Sequence, residues 1–295
     1  MTRYRVCHVT KYRYGVTVTS GQTIAHLAPR TTARQRPLSW EVSTQPVTDD
    51  FGAHVDAFGN TTTYFAITHP HDTLVVTATS EVEVGAPAPW PQGAVASWEQ
   101  VAAAVAAGTD DDHLFARRCR LDSPLVVASP ALREYAEPSF PAGRPADEAA
   151  VDLLHRIFRD FTFDAAFSDV STPLAEVLLH RRGVCQDFAH LMIGCLRTLG
   201  LAARYVSGYI ETDPPPGKPK LVGADASHAW CSLYLPPVGW LDLDPTNDLV
   251  DPSRHVTVAW GRDYSDVAPL RGVVFGPPGA QRLDVSVDVR RVSGG

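Results

Sequence analysis

The amino-acid sequence predicts a protein whose β and α parts are segregated: an antiparallel β-sandwich or half-barrel first, then helices followed by further strands. Three observations carry this. Residues 1–84 are rich in Thr, Val and Tyr and alternate at period two, a proline-rich stretch follows, and beyond it the apolar period becomes helical.

In the first part, Tyr4, Val6, His8 and Thr10 fall on one strand face, and Val82 and Val84 alternate with Glu81 and Glu83. Short turns such as Asp56-Ala57-Phe58-Gly59-Asn60 separate the runs. His69 and His71, around Pro70, read as exposed loop residues. The stretch Gly85-Ala86-Pro87-Ala88-Pro89-Trp90-Pro91 is poor in amide donors and predicts an extended linker over 85–95. The expected division is therefore a β-sandwich-like domain at 1–84 and a second domain at 96–295.

The second domain opens with Ser97-Trp98-Glu99-Gln100, the form of a capping box ahead of an alanine-rich helix. Asp110-Asp111-Asp112 lacks the alternating ligands and glycine of a calcium loop and reads as a solvated turn. A helix over 146–160 carries Val151, Leu154, Ile157 and Phe158 on one face, and another over 185–199 has Phe188, Met192, Cys195, Leu196 and Leu199 as its apolar stripe. Strands are expected at 202–211, 227–235 and 239–244, with a proline-rich surface loop over 213–219. The tail, 256–292, reads as more strands around the turn Gly276-Pro277-Pro278-Gly279.

Composition narrows the function classes. The 295 residues are 44% hydrophobic and 20% charged, enough for one large or two medium cores. With 26 Lys and Arg against 33 Asp and Glu, the net charge is -7, and no basic cluster is interleaved with aromatics, so a nucleic-acid partner is not expected. The start has no signal-peptide pattern and no window approaches a membrane span, so neither export nor a membrane partner is expected. Five cysteines, an odd number and widely spaced, fit reduced thiols in the cytoplasm. Oligomeric state is left open.

The chemistry concentrates in three segments. In Gly183-Val184-Cys185-Gln186-Asp187-Phe188-Ala189-His190, Cys185 opens a helix, where unpaired amides and the positive end of the helix dipole favour a thiolate. In 227–235, strand alternation sets His228, Trp230, Ser232 and Tyr234 on one face; in 239–244, Trp240, Asp242 and Asp244 share a face. A hairpin that pairs Tyr234 with Trp240 puts Asp244 diagonal to His228 and Asp242 opposite Ser232, one step further away. A zinc site gathering Cys185, His190, His228 and Cys231 fails on parity, because positions 228 and 231 point to opposite faces of a strand, and no C-x-x-C pair exists. No metal and no cofactor is expected. Neither a G-x-S-x-G elbow, a phosphate loop nor a dinucleotide fingerprint occurs.

The segments Gly183 to His190, Ser227-His228-Ala229-Trp230 and Trp240-Leu241-Asp242-Leu243-Asp244-Pro245-Thr246-Asn247-Asp248 together resemble the transglutaminase-like superfamily of papain-type thiol enzymes. Residues 1–84, with Leu27-Ala28-Pro29-Arg30, and the tail with Gly261-Arg262-Asp263-Tyr264, are similar to the bacterial transglutaminase-like proteins. The resemblance implies an α+β fold: an antiparallel β domain, then a core whose nucleophile helix packs on an antiparallel sheet. It further implies a catalytic set of Cys185 as nucleophile, His228 as base and acid, and Asp244 as the residue orienting the imidazole. The implied activity is acyl transfer on peptide or protein amides through a thioester, as a cysteine peptidase, amidase or transamidase. The alternative is a catalytically idle module that serves as a binding or scaffold domain.

Overall fold

A computed structural model describes residues 1–87, 95–212 and 227–292, so most of the expected linker and the 213–219 loop lie outside the described residues. The N-terminal part holds six strands: β1 (Thr2–Val18), β2 (Ser20–Ala25), β3 (Gln35–Gln45), β4 (Asp50–Val55), β5 (Thr61–Ile67) and β6 (His71–Val84). Six helices follow, α1 (Trp98–Ala107), α2 (Asp111–Arg118), α3 (Pro130–Ala136), α4 (Ala146–Asp160), α5 (Leu174–His180) and α6 (Cys185–Thr198), with two short paired strands, β7 (Thr162–Phe163) and β8 (Arg182–Gly183), between them. The remaining elements are β9 (Ala203–Ile210), β10 (Ser227–Leu235), β11 (Gly239–Asp244), β12 (Leu249–Val250), β13 (His255–Gly261), α7 (Tyr264–Val267), β14 (Leu270–Phe275) and β15 (Gln281–Arg291).

The class is α+β, as expected: three larger antiparallel sheets, in the orders β15-β1-β6-β3, β14-β2-β5-β4 and β12-β11-β10-β9-β13. The period-two pattern of β1 does what alternation requires, since Tyr4, Val6, His8 and Thr10 are all buried. One end of this strand and of β6 (Tyr4, Val6, Val82, Val84) joins the large core with α6 and β10; further along, Leu74, Val76 and Ala78 pack with Ala25, Phe65 and Ile67 of the second sheet as a sandwich.

The linear division at 84 and 96 needs one correction. β15 pairs along β1, from Tyr4 opposite Arg291 to Tyr14 opposite Gln281, and β14 pairs along β2. The tail thus completes both N-terminal sheets instead of staying with residues 96–261. An antiparallel edge strand can be supplied from any distance along the chain, and local pattern does not say from where.

Smaller readings also change. The 110–112 run is the start of α2, with the Asp110 carboxylate accepting the His113 amide at 2.9 Å. His71 is buried at the start of β6, its Nδ1 2.9 Å from the His69 carbonyl, whereas His69 is exposed. Phe158 is 48% exposed, and the buried face of α4 is made by Ala149, Ala150, Leu153, Leu154 and Ile157. The capping box at α1 forms as read: Gln100 N–H donates to Ser97 Oγ at 3.4 Å, and Ser97 N–H to Gln100 Oε1 at 3.2 Å. Among the described residues no helix is long and apolar enough to cross a membrane.

Candidate active site

Helix α6 is buried on all sides from Asp187 to Arg197, not along a stripe, because α3 and α5 cover the side turned away from the sheet. Its one buried cation, Arg197, is fully engaged: Nε donates to the Cys119 carbonyl at 2.7 Å, Nη1 to Ser123 Oγ at 3.1 Å, and Nη2 to the Ala203 and Arg262 carbonyls at 3.1 and 2.6 Å. A helix so enclosed cannot shift, which fixes the residue at its start.

That residue is Cys185, half-buried, at the first helical position. The Asp187 carboxylate accepts the Val184 amide at 2.8 Å and a hydroxyl from Ser168, closing the turn ahead of the cysteine. Gly183 is required there, because a Cβ on it would stand 2.7 Å from Asp187 Oδ2 and 2.8 Å from Asp187 Cβ. Burial pushes the Asp187 carboxyl up, and the Ser168 and Val184 hydrogen bonds oppose it.

Strands β10 and β11 adopt the register that the sequence reading requires, Tyr234 opposite Trp240 and Ser232 opposite Asp242. His228 and Asp244 then meet: His228 Nε2 donates to Asp244 Oδ2 at 2.8 Å, with the two side chains 7% and 0% exposed. Asp242 is instead bound by Ser232 Oγ. Nε2 being used on the carboxylate, Nδ1 is the ring nitrogen left for the thiol. Burial disfavours the charged imidazole, but hydrogen bonds with Asp244 and Cys185 and their negative charges outweigh it, and the His228 pKa is raised to about 10. Trp230 lies nearly parallel to the His228 ring at 6.1 Å. Gly208, opposite His228 on β9, makes room: a Cβ there would stand 2.7 Å from the Trp230 ring and 2.1 Å from the Val256 carbonyl oxygen.

Two neighbours of Asp244 escape sequence reasoning. His255 Nε2 donates to the same Oδ2 at 2.9 Å, and Asn247 Nδ2 donates to it at 2.8 Å. Oδ1 accepts the Thr246 and Asn247 amides at 3.0 and 3.3 Å. Against burial, the bonds from His228 and His255 hold the Asp244 carboxyl well below its usual range. Burial lowers the His255 pKa, with Asp244 opposing. Neither contact leaves a local mark: Asn247 reaches back to Asp244 from the turn after β11, and His255 approaches only because β13 pairs beside β9.

The donor atoms of His228, Asp244 and His255 lie within 4.8 Å of one another, a set that can hold a metal ion. Both imidazoles already give their Nε2 protons to the carboxylate, so an ion there would have to displace two protons. The four-residue zinc grouping does not assemble: His190 Nε2 accepts the Tyr264 amide at 3.1 Å, and Cys231 Sγ donates to the Leu243 carbonyl at 3.5 Å. Burial lowers the His190 pKa to about 4 and raises the thiols of Cys119 and Cys195 to about 11 and about 12.

Comparison with known proteins bears on the family and the fold. Residues 4–83 match the bacterial transglutaminase-like N-terminal region, and residues 134–245 match the transglutaminase-like superfamily. An uncharacterized protein of Mycobacterium tuberculosis is 45% identical over 97% of this chain and 92% of its own, and one of Mycobacterium leprae is 33% identical over 99% and 100%. A protein-glutamine gamma-glutamyltransferase of Pseudomonas aeruginosa is 34% identical over 30% of this chain and 14% of its own. The crystal structure of a protein from Cytophaga hutchinsonii, provisionally assigned as a cysteine protease, superposes with a TM-score of 0.75 over 100% of this chain and 92% of that one, at 19% identity.

Proposed function

The chain belongs to the transglutaminase-like superfamily, and from that premise we propose that it is a thiol-dependent acyl-transfer enzyme acting on peptide or protein amides. Cys185 is the nucleophile, His228 the base and acid, and Asp244 the carboxylate that orients the imidazole. The observation that carries the reading is the His228 ring itself, which gives Nε2 to a buried carboxylate at 2.8 Å and has its titration raised by Cys185.

In this reading the Cys185 proton passes to His228 Nδ1, and the resulting cation stands beside the sulfur. Sγ attacks the amide carbonyl carbon, and the tetrahedral adduct collapses as His228 returns the proton to the departing amine. The C–N bond breaks and a thioester remains. Water then attacks it, His228 takes one proton, and an acid leaves with the thiol restored; a primary amine in place of water gives a new amide. The amides at the start of α6 are the donors offered to the oxyanion.

A glutamine-containing peptide library, incubated with and without a primary amine and read by mass, tests the proposal. Cleavage, a one-unit gain, or amine addition supports it if Cys185→Ala abolishes the change. Turnover that survives in Cys185→Ala sinks it, as does a library left unchanged by protein whose Cys185 alkylates no faster than the buried cysteines.

A further inference from the structure

Side chains alternate across the sheet β11-β10-β9. Ala229, Cys231, Leu233 and Tyr205 face α6, so Arg204, Val206, Ser232, Trp240 and Asp242 face the other way. Over that second face the N-terminal segments 32–35 and 57–59 enclose a cleft of about 840 Å³, a volume in the range of small-molecule sites.

Its walls are tied in place before any ligand arrives. Gln35 accepts the Thr257 amide at 2.8 Å and donates to the Thr257 carbonyl at 2.7 Å. Asn60 accepts the Trp260 amide at 3.0 Å and donates to its carbonyl at 2.9 Å. A preformed wall spares a ligand the cost of ordering it.

Inside, the Arg204 guanidinium lies between the rings of Trp240 and Trp260, 4.1 and 3.6 Å from their centroids, so both of its faces are covered and only its edge is left to bond a ligand. The residue is 7% exposed, and its Nε has no hydrogen-bond partner. Arg34 gives Nη2 to Asp251 at 3.0 Å, with an Asp242 oxygen 3.6 Å from the same nitrogen, and its Nη1 has no hydrogen-bond partner. Buried guanidinium N–H groups left unmade call for an acceptor. The lining also includes Asp111, Asp112, Asp242 and Asp251, which outnumber the two arginines and disfavour a purely anionic guest such as phosphate.

We propose that this cleft binds a zwitterion of amino-acid or dipeptide size, its carboxylate on the edges of Arg34 and Arg204 and its ammonium toward Asp111 and Asp112. The site adjoins the candidate catalytic set through His255, which lines the cleft and bonds Asp244. It is independent of thiol chemistry.

Titration calorimetry on the full chain with the twenty amino acids and glycylglycine, and with acetate, methylamine and inorganic phosphate as partial mimics, tests this. At least one zwitterion should bind at millimolar concentration or below, and acetate or methylamine alone should bind roughly tenfold more weakly or not at all. Arg204→Met and Arg34→Met should each weaken it by roughly tenfold or more, the loss of a charge-assisted hydrogen bond. Cys185→Ala should bind as the unaltered chain does, which separates this site from the proposed reaction. If Arg204→Met does not fold, the part-exposed Arg34 decides, being 27% exposed. Absence of any zwitterion binding, phosphate binding more tightly than every zwitterion, or affinity unchanged by Arg34→Met overturns the proposal.

Discussion

Asp244 accepts three side-chain hydrogen bonds on one oxygen, two of them from imidazoles, and these groups set how the protein answers to pH. A carboxyl held below its unfolded value of 3.8 adds stability above that pH, which is lost as the pH falls through the folded value. His228, raised from 6.5 to about 10, adds stability that is complete below 6.5 and lost as the pH rises toward 10. His255, lowered by burial, must shed its proton and costs stability below 6.5. The melting temperature should therefore fall on both sides of a maximum near the histidine range, and His228→Gln should flatten the decline between 6.5 and 10. An unchanged alkaline slope in that variant would contradict the assignment. Asp244→Asn removes the charge on which both rings rely and should cost roughly 3 kcal/mol in chemical denaturation. Iodoacetamide should modify Cys185 well before Cys119 and Cys195, whose thiols burial pushes up to about 11 and about 12. His228→Ala should slow that labelling far more than His190→Ala, since His190 serves the Tyr264 amide; equal slowing would mean that His228 does not activate the thiol.

At the scale of elements, a small number of backbone requirements keep helix and hairpin in position. Gly208→Ala brings a methyl against the Val256 carbonyl, 2.1 Å away before relaxation, and should both lower the melting temperature and slow Cys185 labelling. Ser97→Ala, at the N-cap of α1, should cost about 1 kcal/mol and leave the labelling rate alone. Much of this level was readable from sequence, because strand parity and the Tyr234–Trp240 register follow from a period of two and a short turn, of which residues 236–238 stay unpaired. The start of α6 was readable for the same reason: glycine, then cysteine, then a helical period. His255 was not, since its contact with Asp244 comes from β13 lying beside β9, a pairing of distant segments that leaves no local mark. Nor was the burial of α6 on every side, which α3 and α5 impose. Phe158 shows the opposite failure, an apolar residue in phase with its helix that stays 48% exposed because no element covers it.

Across the whole molecule, the tail strands β14 and β15 close sheets begun by β2 and β1. A chain ending after residue 268 leaves both edges open, and exposed strand edges pair with other copies. We expect that truncation to elute as aggregate or to be insoluble, whereas the full chain should not; a soluble, monodisperse truncated form would show that the edges are covered otherwise. The same closure has a consequence in time. Strand β1 leaves the ribosome some 280 residues ahead of its partner, which at synthesis rates of about 5–20 residues per second is a wait of roughly 15–55 s. For that interval the nascent chain carries an incomplete first sheet, with β6 able to cover one edge of β1 but not the other. Slow translation or crowded polysomes should therefore favour pairing between neighbouring nascent chains over pairing within one.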